Sequence, residues 1–174
     1  TPTSIWDDVG TATNATQEIQ AIFDEKAFNT PKPTTFIERV IQLATDKSSI
    51  VLDSFAGRGT TAHAVLNMNK LDNGKRKFIV IEMEEYAENI TAERVKRVIN
   101  GYNSTDGTGG SFDFYSLGQP LFNEDGNLNE TIGIDKIRQY VYYTETKTAF
   151  SETLHADNKH FLGKHNDTVY YFNY

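Results

Sequence analysis

Apolar positions along this chain recur in two periods, and the alternation between them sketches its architecture. Residues 1 to about 13 hold no sustained pattern. From Thr16 to Phe23, Ile19, Ile22 and Phe23 share one side of a short amphipathic helix. The segment Phe28–Pro33 (FNTPKP) interrupts it, because proline disfavours helix in the residue before it. A second helix is predicted from about Thr34 to Thr45, where Phe36, Ile37, Val40, Ile41 and Ala44 form one buried stripe. Ser49–Phe55 (SIVLDSF) is short and largely apolar, as expected of a strand covered on both faces in a parallel sheet. Ala56–Gly59 is a tight loop, and Thr60 to about Met68 a helix burying Ala62, Val65 and Leu66. A turn at Asp72-Asn73-Gly74 leads to a second buried strand, Phe78–Glu82 (FIVIE). The next helix, Glu84 to about Asn100, begins acidic and ends with Arg94, Lys96 and Arg97, an order that suits the helix dipole and a solvated helix end. Gly101 stops it.

Strand, glycine turn, helix and strand make a βαβ unit, so the fold class is α/β with an at least partly parallel sheet. Beyond Gly101 the character changes. A polar loop spans 103–110, Ser111–Leu117 alternates like a strand, Ile132 to about Tyr143 reads as a helix, and Thr168–Tyr174 as an aromatic terminal strand. This tail is mixed α+β.

Composition narrows the chemistry. A chain of 174 residues suits one compact domain or one lobe of a larger protein. With no cysteine, disulfide frameworks and cysteine-based metal sites are excluded. No apolar run reaches membrane-span length and no leader pattern opens the chain, so the expectation is a cytoplasmic location with no membrane partner. The net charge of −7 repels a polyanion, so contact with DNA would need another segment or a local basic patch.

The informative stretch is Asp53-Ser54-Phe55-Ala56-Gly57-Arg58-Gly59-Thr60-Thr61. Glycines between strand and helix let the backbone turn sharply and approach a ligand. Glu82, at the end of the next strand, is placed to hydrogen-bond two ribose hydroxyls. Gly57, Gly59 and Ala62 formally match a dinucleotide fingerprint, which leaves a nicotinamide-dependent oxidoreductase lobe open. Asp53 favours a different ligand. A carboxylate inside an apolar strand needs a cation or donors, and S-adenosylmethionine carries an ammonium and a sulfonium. The alternative is that Asp53 only caps its own loop. His63 reads as a structural histidine, while His155, His160 and His165 form no metal motif. The tail aromatics Tyr140, Tyr142, Tyr143, Tyr170, Tyr171 and Phe172 are expected to pack a sheet.

Val51–Ala64 (VLDSFAGRGTTAHA) resembles motif I of the beta-class DNA amino-methyltransferases, which run D-x-F-x-G-x-G-T. Phe28–Pro33 resembles their motif X, which precedes motif I in this circularly permuted class, and Phe78–Tyr86 (FIVIEMEEY) resembles motif II. Taken in order, with Ala92-Glu93-Arg94-Val95, these segments are similar to the modification (Mod) subunits of type III restriction–modification systems. The resemblance implies a partial Rossmann-like fold that binds S-adenosylmethionine and belongs to an enzyme methylating the exocyclic amino group of adenine. It implies that Asp53, Phe55, Gly57, Gly59 and Thr60 line the methionine end, that Glu82 holds the ribose, and that Met83 packs on the adenine ring. Lys32 and Pro33 would reach the methionine carboxylate. Arg58 departs from the family, which usually has a small residue there.

The family's Asp-Pro-Pro-Tyr type tetrad is missing, since Pro2, Pro31, Pro33 and Pro120 are nowhere adjacent. With its start on Thr1 rather than Met, the chain is expected to be the C-terminal, cofactor-binding lobe of a larger enzyme, with no catalytic residue and no activity alone. The expected organisation is a lead-in over 1–27, the S-adenosylmethionine-binding lobe over 28–118 and an α+β extension over 119–174. DNA would be met through the missing part, a restriction (Res) subunit is the expected partner, and homodimerisation is left open. The strand edge Ile50–Phe55 would then be covered by the tail, pair with another chain or drive association. A non-catalytic assembly module is the remaining alternative.

Overall fold

A computed structural model describes residues 5–23, 31–150 and 160–173. The chain divides into two compact units, Thr1–Phe114 and Tyr115–Tyr174.

The first unit is a mixed arrangement of helices and strands. Helix α1 covers Ala12–Phe23, four residues earlier than the apolar pattern alone indicates. The reason is a reciprocal cap: Asn14 N–H donates to Thr11 Oγ1 at 3.3 Å, and Thr11 N–H donates to Asn14 Oδ1 at 2.9 Å. Residues before it are not wholly patternless, since Trp6 tilts against Phe36 with ring centroids 5.9 Å apart. Pro33 caps helix α2, Thr34–Ala44, at its N-terminus. Strand β1 is Ile50–Asp53, helix α3 Thr60–Asp72 and strand β2 Lys77–Val80. Helix α3 runs four residues past Met68 and ends on Asn73 in the left-handed conformation (φ 53°). The two strands are parallel, with Ile50 beside Lys77 and Asp53 beside Val80. The βαβ unit is therefore present, with strands shorter than the apolar runs that announce them.

The expectation that both strands are covered on both faces is not met. Val51, Phe78 and Val80 face the helices, where Ile41 of α2, Ala62, Val65, Leu66 and Met68 of α3, and Ile22 of α1 form the core. The opposite face is bare: Ile50 and Leu52 are 63% and 61% exposed, and Ile79 and Ile81 are about half exposed. Among the described residues β1 pairs with β2 alone.

The helix expected from Glu84 to Asn100 is two pieces. Residues Ala87–Ala92 are wound as a π-turn, and α4 follows as Glu93–Asn100, burying Val95 and Val98. Gly101 ends it at φ 95°, where a side chain would collide with Thr105 O and Gly107 N. A two-residue hairpin follows, β3 (Gly101–Tyr102) with β4 (Thr105–Asp106). The strand expected over Ser111–Leu117 does not form. Its alternation is real, and Phe112 packs on the core, but among the described residues no partner strand supplies a ladder, and Phe114 and Leu117 are exposed. Side-chain alternation alone does not satisfy backbone groups.

In the second unit a 3₁₀ turn, Glu130–Ile132, precedes α5, Ile134–Thr146. The terminal hairpin pairs β5 (Phe161–His165) with β6 (Thr168–Tyr171). Strand β5 carries too little alternation (FLGKH) to be seen in advance. Tyr142 of α5 packs edge-on against Tyr170, and its hydroxyl donates to Lys164 O at 2.9 Å, so this tail aromatic serves packing. The expectations for His155 and for Tyr174 fall outside the described residues.

Candidate functional site

The turn between β1 and α3 demands glycine at two places. Gly57 (φ 53°) and Gly59 (φ 75°) both occupy the left-handed region that other residues enter only at a cost. Their surroundings differ. A methyl group on Gly57 would meet nothing nearer than Phe55 O at 3.9 Å, whereas one on Gly59 would press on Thr91 O at 3.2 Å. Gly59 thus permits close packing against the π-turn, and Gly57 leaves open ground above the loop. Thr91 secures the contact by donating from Oγ1 to Gly57 O at 2.6 Å. π-Turns of this kind recur at functional sites.

Two acids flank the turn. Asp53 ends β1, and its carboxylate accepts from Phe55 N–H at 3.1 Å and from Thr61 Oγ1 at 2.5 Å. It therefore caps its own loop, the simpler of the two roles open to it. Glu82, two residues past β2, accepts from Gly57 N–H at 2.7 Å through Oε2, and from Met83 and Glu84 N–H at 2.9 and 3.0 Å through Oε1. An ionised carboxylate offers about four acceptor sites, so Asp53, with two bonds, keeps capacity for a ligand, whereas Glu82 takes three backbone donors and is also hydrogen-bonded by Tyr86. Phe55 and Met83 stand out at 82% and 85% exposed.

Asp53, Phe55, Gly57, Gly59, Thr60, Glu82 and Met83 thus gather around one turn. Thr60 differs from the others: it is buried, and its hydroxyl is turned inward to accept from Arg94 at 3.0 Å. Lys32 is exposed and Pro33 half-buried on a separate segment, whose earlier part, 28–30, lies outside the described residues. Arg58 is half-buried, and burial lowers its pKa against the raising influence of Tyr86. It does not simply point to solvent.

Beneath the turn lies a residue the sequence did not single out. Arg94 belongs to a run read as a solvated helix end, yet it is completely buried. Its Nη1 donates to Thr60 Oγ1 and to Arg58 O at 3.3 Å. Its Nη2 donates to Glu18 Oε2 at 3.0 Å and Thr34 Oγ1 at 2.9 Å. Its Nε donates to His63 Nδ1 at 3.3 Å. His63 is pushed down to about 3 by burial and then by the Arg94 charge, which keeps it neutral and accepting through Nδ1. Burial raises Glu18 despite the lowering pull of Arg94. The signal was present: Arg94 lies on the same helix stripe as Thr91 and Val98, at three- and four-residue spacing.

Among the described residues no group of three or more potential ligands could hold a metal ion, and no helix is long and apolar enough to cross a membrane.

A family model described as DNA methylase matches residues 1–93, just over half of the 174-residue chain. The chain is 41% identical over 104 residues to the Mod subunit of the type III restriction–modification enzyme StyLTI of Salmonella typhimurium, covering 60% of this chain and 15% of that protein. It is 44% identical over 80 residues to the type II methyltransferase M.KpnI of Klebsiella pneumoniae, covering 45% and 19%. A probable type III Mod subunit, HindVI of Haemophilus influenzae, is 32% identical over 128 residues, covering 74% and 16%. The chain spans less than a fifth of the length of each of these relatives.

Proposed function

The chain belongs to the DNA methylase family, and on that premise we propose that residues 28–118 form the S-adenosylmethionine-binding lobe of an adenine-specific DNA methyltransferase of the type III Mod kind. The fold we assign to this lobe is a partial Rossmann-like one.

One observation carries the reading: two acids, from the ends of two adjacent parallel strands, both bond into the glycine turn, Asp53 at Phe55 and Thr61 and Glu82 at Gly57. A ligand seated on this turn lies beside two carboxylates. An ammonium and a sulfonium gain from that, whereas a pyrophosphate loses by it, which disfavours a nicotinamide dinucleotide. S-adenosylmethionine supplies the methyl group carried on its sulfonium. Thr61 and Phe55 N–H hold the Asp53 carboxylate in one orientation, so it is set before a cation arrives. The Glu82 carboxylate is likewise fixed by three backbone donors and serves the ribose. Exposed Met83 and Phe55 offer apolar surface to ring and methylene groups, and exposed Lys32 suits the methionine carboxylate. No residue of this chain is assigned to the transfer step. On this reading catalysis and DNA recognition belong to other parts of the enzyme, and a Res subunit is its partner.

Calorimetric titration of the 174-residue chain tests the reading. Saturable binding of S-adenosylmethionine, none of NAD, and a tenfold or greater loss in Asp53→Ala are expected. Binding of NAD instead, or of neither, overturns it, and unchanged affinity in Asp53→Ala removes the ammonium role.

A further inference from the structure

Nothing in the family resemblance assigns a task to Arg94, and its surroundings define one. Thr34 directly follows the Pro31–Pro33 segment, and Thr60 directly follows the glycine turn. These two regions lie far apart in sequence, and the Arg94 guanidinium holds both. Its Nη2 is bonded to Thr34 and Nη1 to Thr60 and to Arg58 O, while Glu18 and neutral His63 take the remaining donors. Thr34 itself donates to Glu18 at 2.5 Å, which closes the ring of contacts.

We infer that Arg94 is a positioning residue: it sets the Pro31–Pro33 segment against the glycine turn, and so fixes the distance between the two halves of the ligand seat. The inference deepens the S-adenosylmethionine reading and rests on it. Geometry makes arginine necessary. A planar guanidinium presents five donors in a fixed fork and can bridge groups on opposite sides, whereas a lysine ammonium is a single point. Burial makes the arrangement all-or-none, because a buried cation that loses one partner does not recover it from water. Arg94 does its work from below the turn, through Thr34, Thr60 and the Arg58 carbonyl.

Three variants of the 174-residue chain separate positioning from general stability: Arg94→Lys, Thr34→Val, and Val98→Ala, which thins the core without touching either segment. Each is titrated with S-adenosylmethionine, and amide exchange is followed at Gly59 and His63, whose N–H groups bond to Ala56 O and Gly59 O. Arg94→Lys is expected to raise Kd tenfold or more, Thr34→Val severalfold, and Val98→Ala less than twofold at a comparable loss of melting temperature. Equal affinity in Arg94→Lys, or an equal loss in Val98→Ala, overturns the inference. Should Arg94→Lys fail to fold, Thr34→Val decides on the same readouts. If the parent chain binds no S-adenosylmethionine, the ligand reading fails separately. Exchange then decides for Arg94: faster exchange at Gly59 and His63 in Arg94→Lys than in Val98→Ala supports the positioning role, and equal rates overturn it.

Discussion

Glu82 reaches back to the glycine turn and accepts the Gly57 amide at 2.7 Å. The same carboxylate closes the loop after β2 by accepting from Met83 and Glu84. A single side chain therefore ties together the ends of two parallel strands.

Replacing Glu82 by Ala leaves three backbone donors without this acceptor. A loss of about 1–3 kcal/mol is expected, since a partly buried unsatisfied donor costs of that order. Glu82→Gln retains one carbonyl oxygen and should lose less. Urea unfolding measures both. Equal stability of Glu82→Ala and the parent chain would show that the tie contributes nothing.

The two loop glycines should respond differently to alanine. Gly57→Ala meets only the backbone penalty of a positive φ, roughly 1–2 kcal/mol. Gly59→Ala meets the same penalty and also crowds Thr91 O at 3.2 Å, so it should be the more damaging. Denaturation midpoints of the two variants rank them. The reverse order would contradict the packing of the π-turn.

His63 makes stability depend on pH in a defined direction. The folded state holds it down to about 3 by burial and the Arg94 charge, while the unfolded chain takes up a proton near the ordinary value of 6.5. Between those values the unfolded state binds more protons, so stability falls as pH drops below 6.5, by up to roughly 2 kcal/mol on reaching pH 5. Glu18, raised chiefly by burial above the ordinary carboxylate range, acts with the opposite sign and softens the acid end of the curve. Thermal melts from pH 7 to pH 5 should show the decline in the parent chain and a flatter profile in His63→Gln. Parallel profiles would mean that His63 takes up its proton in the folded state near the ordinary value.

The bare face of the β1–β2 pair should be visible in solution. Ile50, Leu52, Ile79 and Ile81 present a contiguous apolar strip on paired strands. The 174-residue chain should enhance the fluorescence of an apolar-surface dye, and Leu52→Lys with Ile79→Glu should abolish most of that signal without lowering the melting temperature. An unchanged signal would place the dye elsewhere.

The glycine turn and the βαβ unit were legible in advance because both are local: two glycines, an acid and flanking apolar runs within thirty or so positions. The coverage of the strands was not, since a short apolar run reads alike whether one face or both are packed. Arg94 escaped for a related reason. Arginine at a helix end is usually solvated, and only Glu18, Thr34, Thr60 and His63, scattered over distant segments, turn that position into an interior one. Asp53 was legible as unusual, although its loop-capping bonds with Phe55 and Thr61 became specific only in the structure. Ser111–Leu117 shows the converse: a clear alternation is idle without a second strand beside it.

The ring of contacts around Arg94 also bears on how the seat comes into being during folding. Its bonds to Glu18 and Thr34 span 76 and 60 positions of sequence. Contacts of that separation close large loops and are formed against their entropy, so they belong with the collapse of the whole first unit rather than with any local nucleus. The glycine turn can bend early, but it acquires its counterpart only when the ends of the unit have met. A ligand held by both halves would therefore bind the completed unit and not its fragments, and saturating it would raise the melting temperature of the entire unit as one cooperative block.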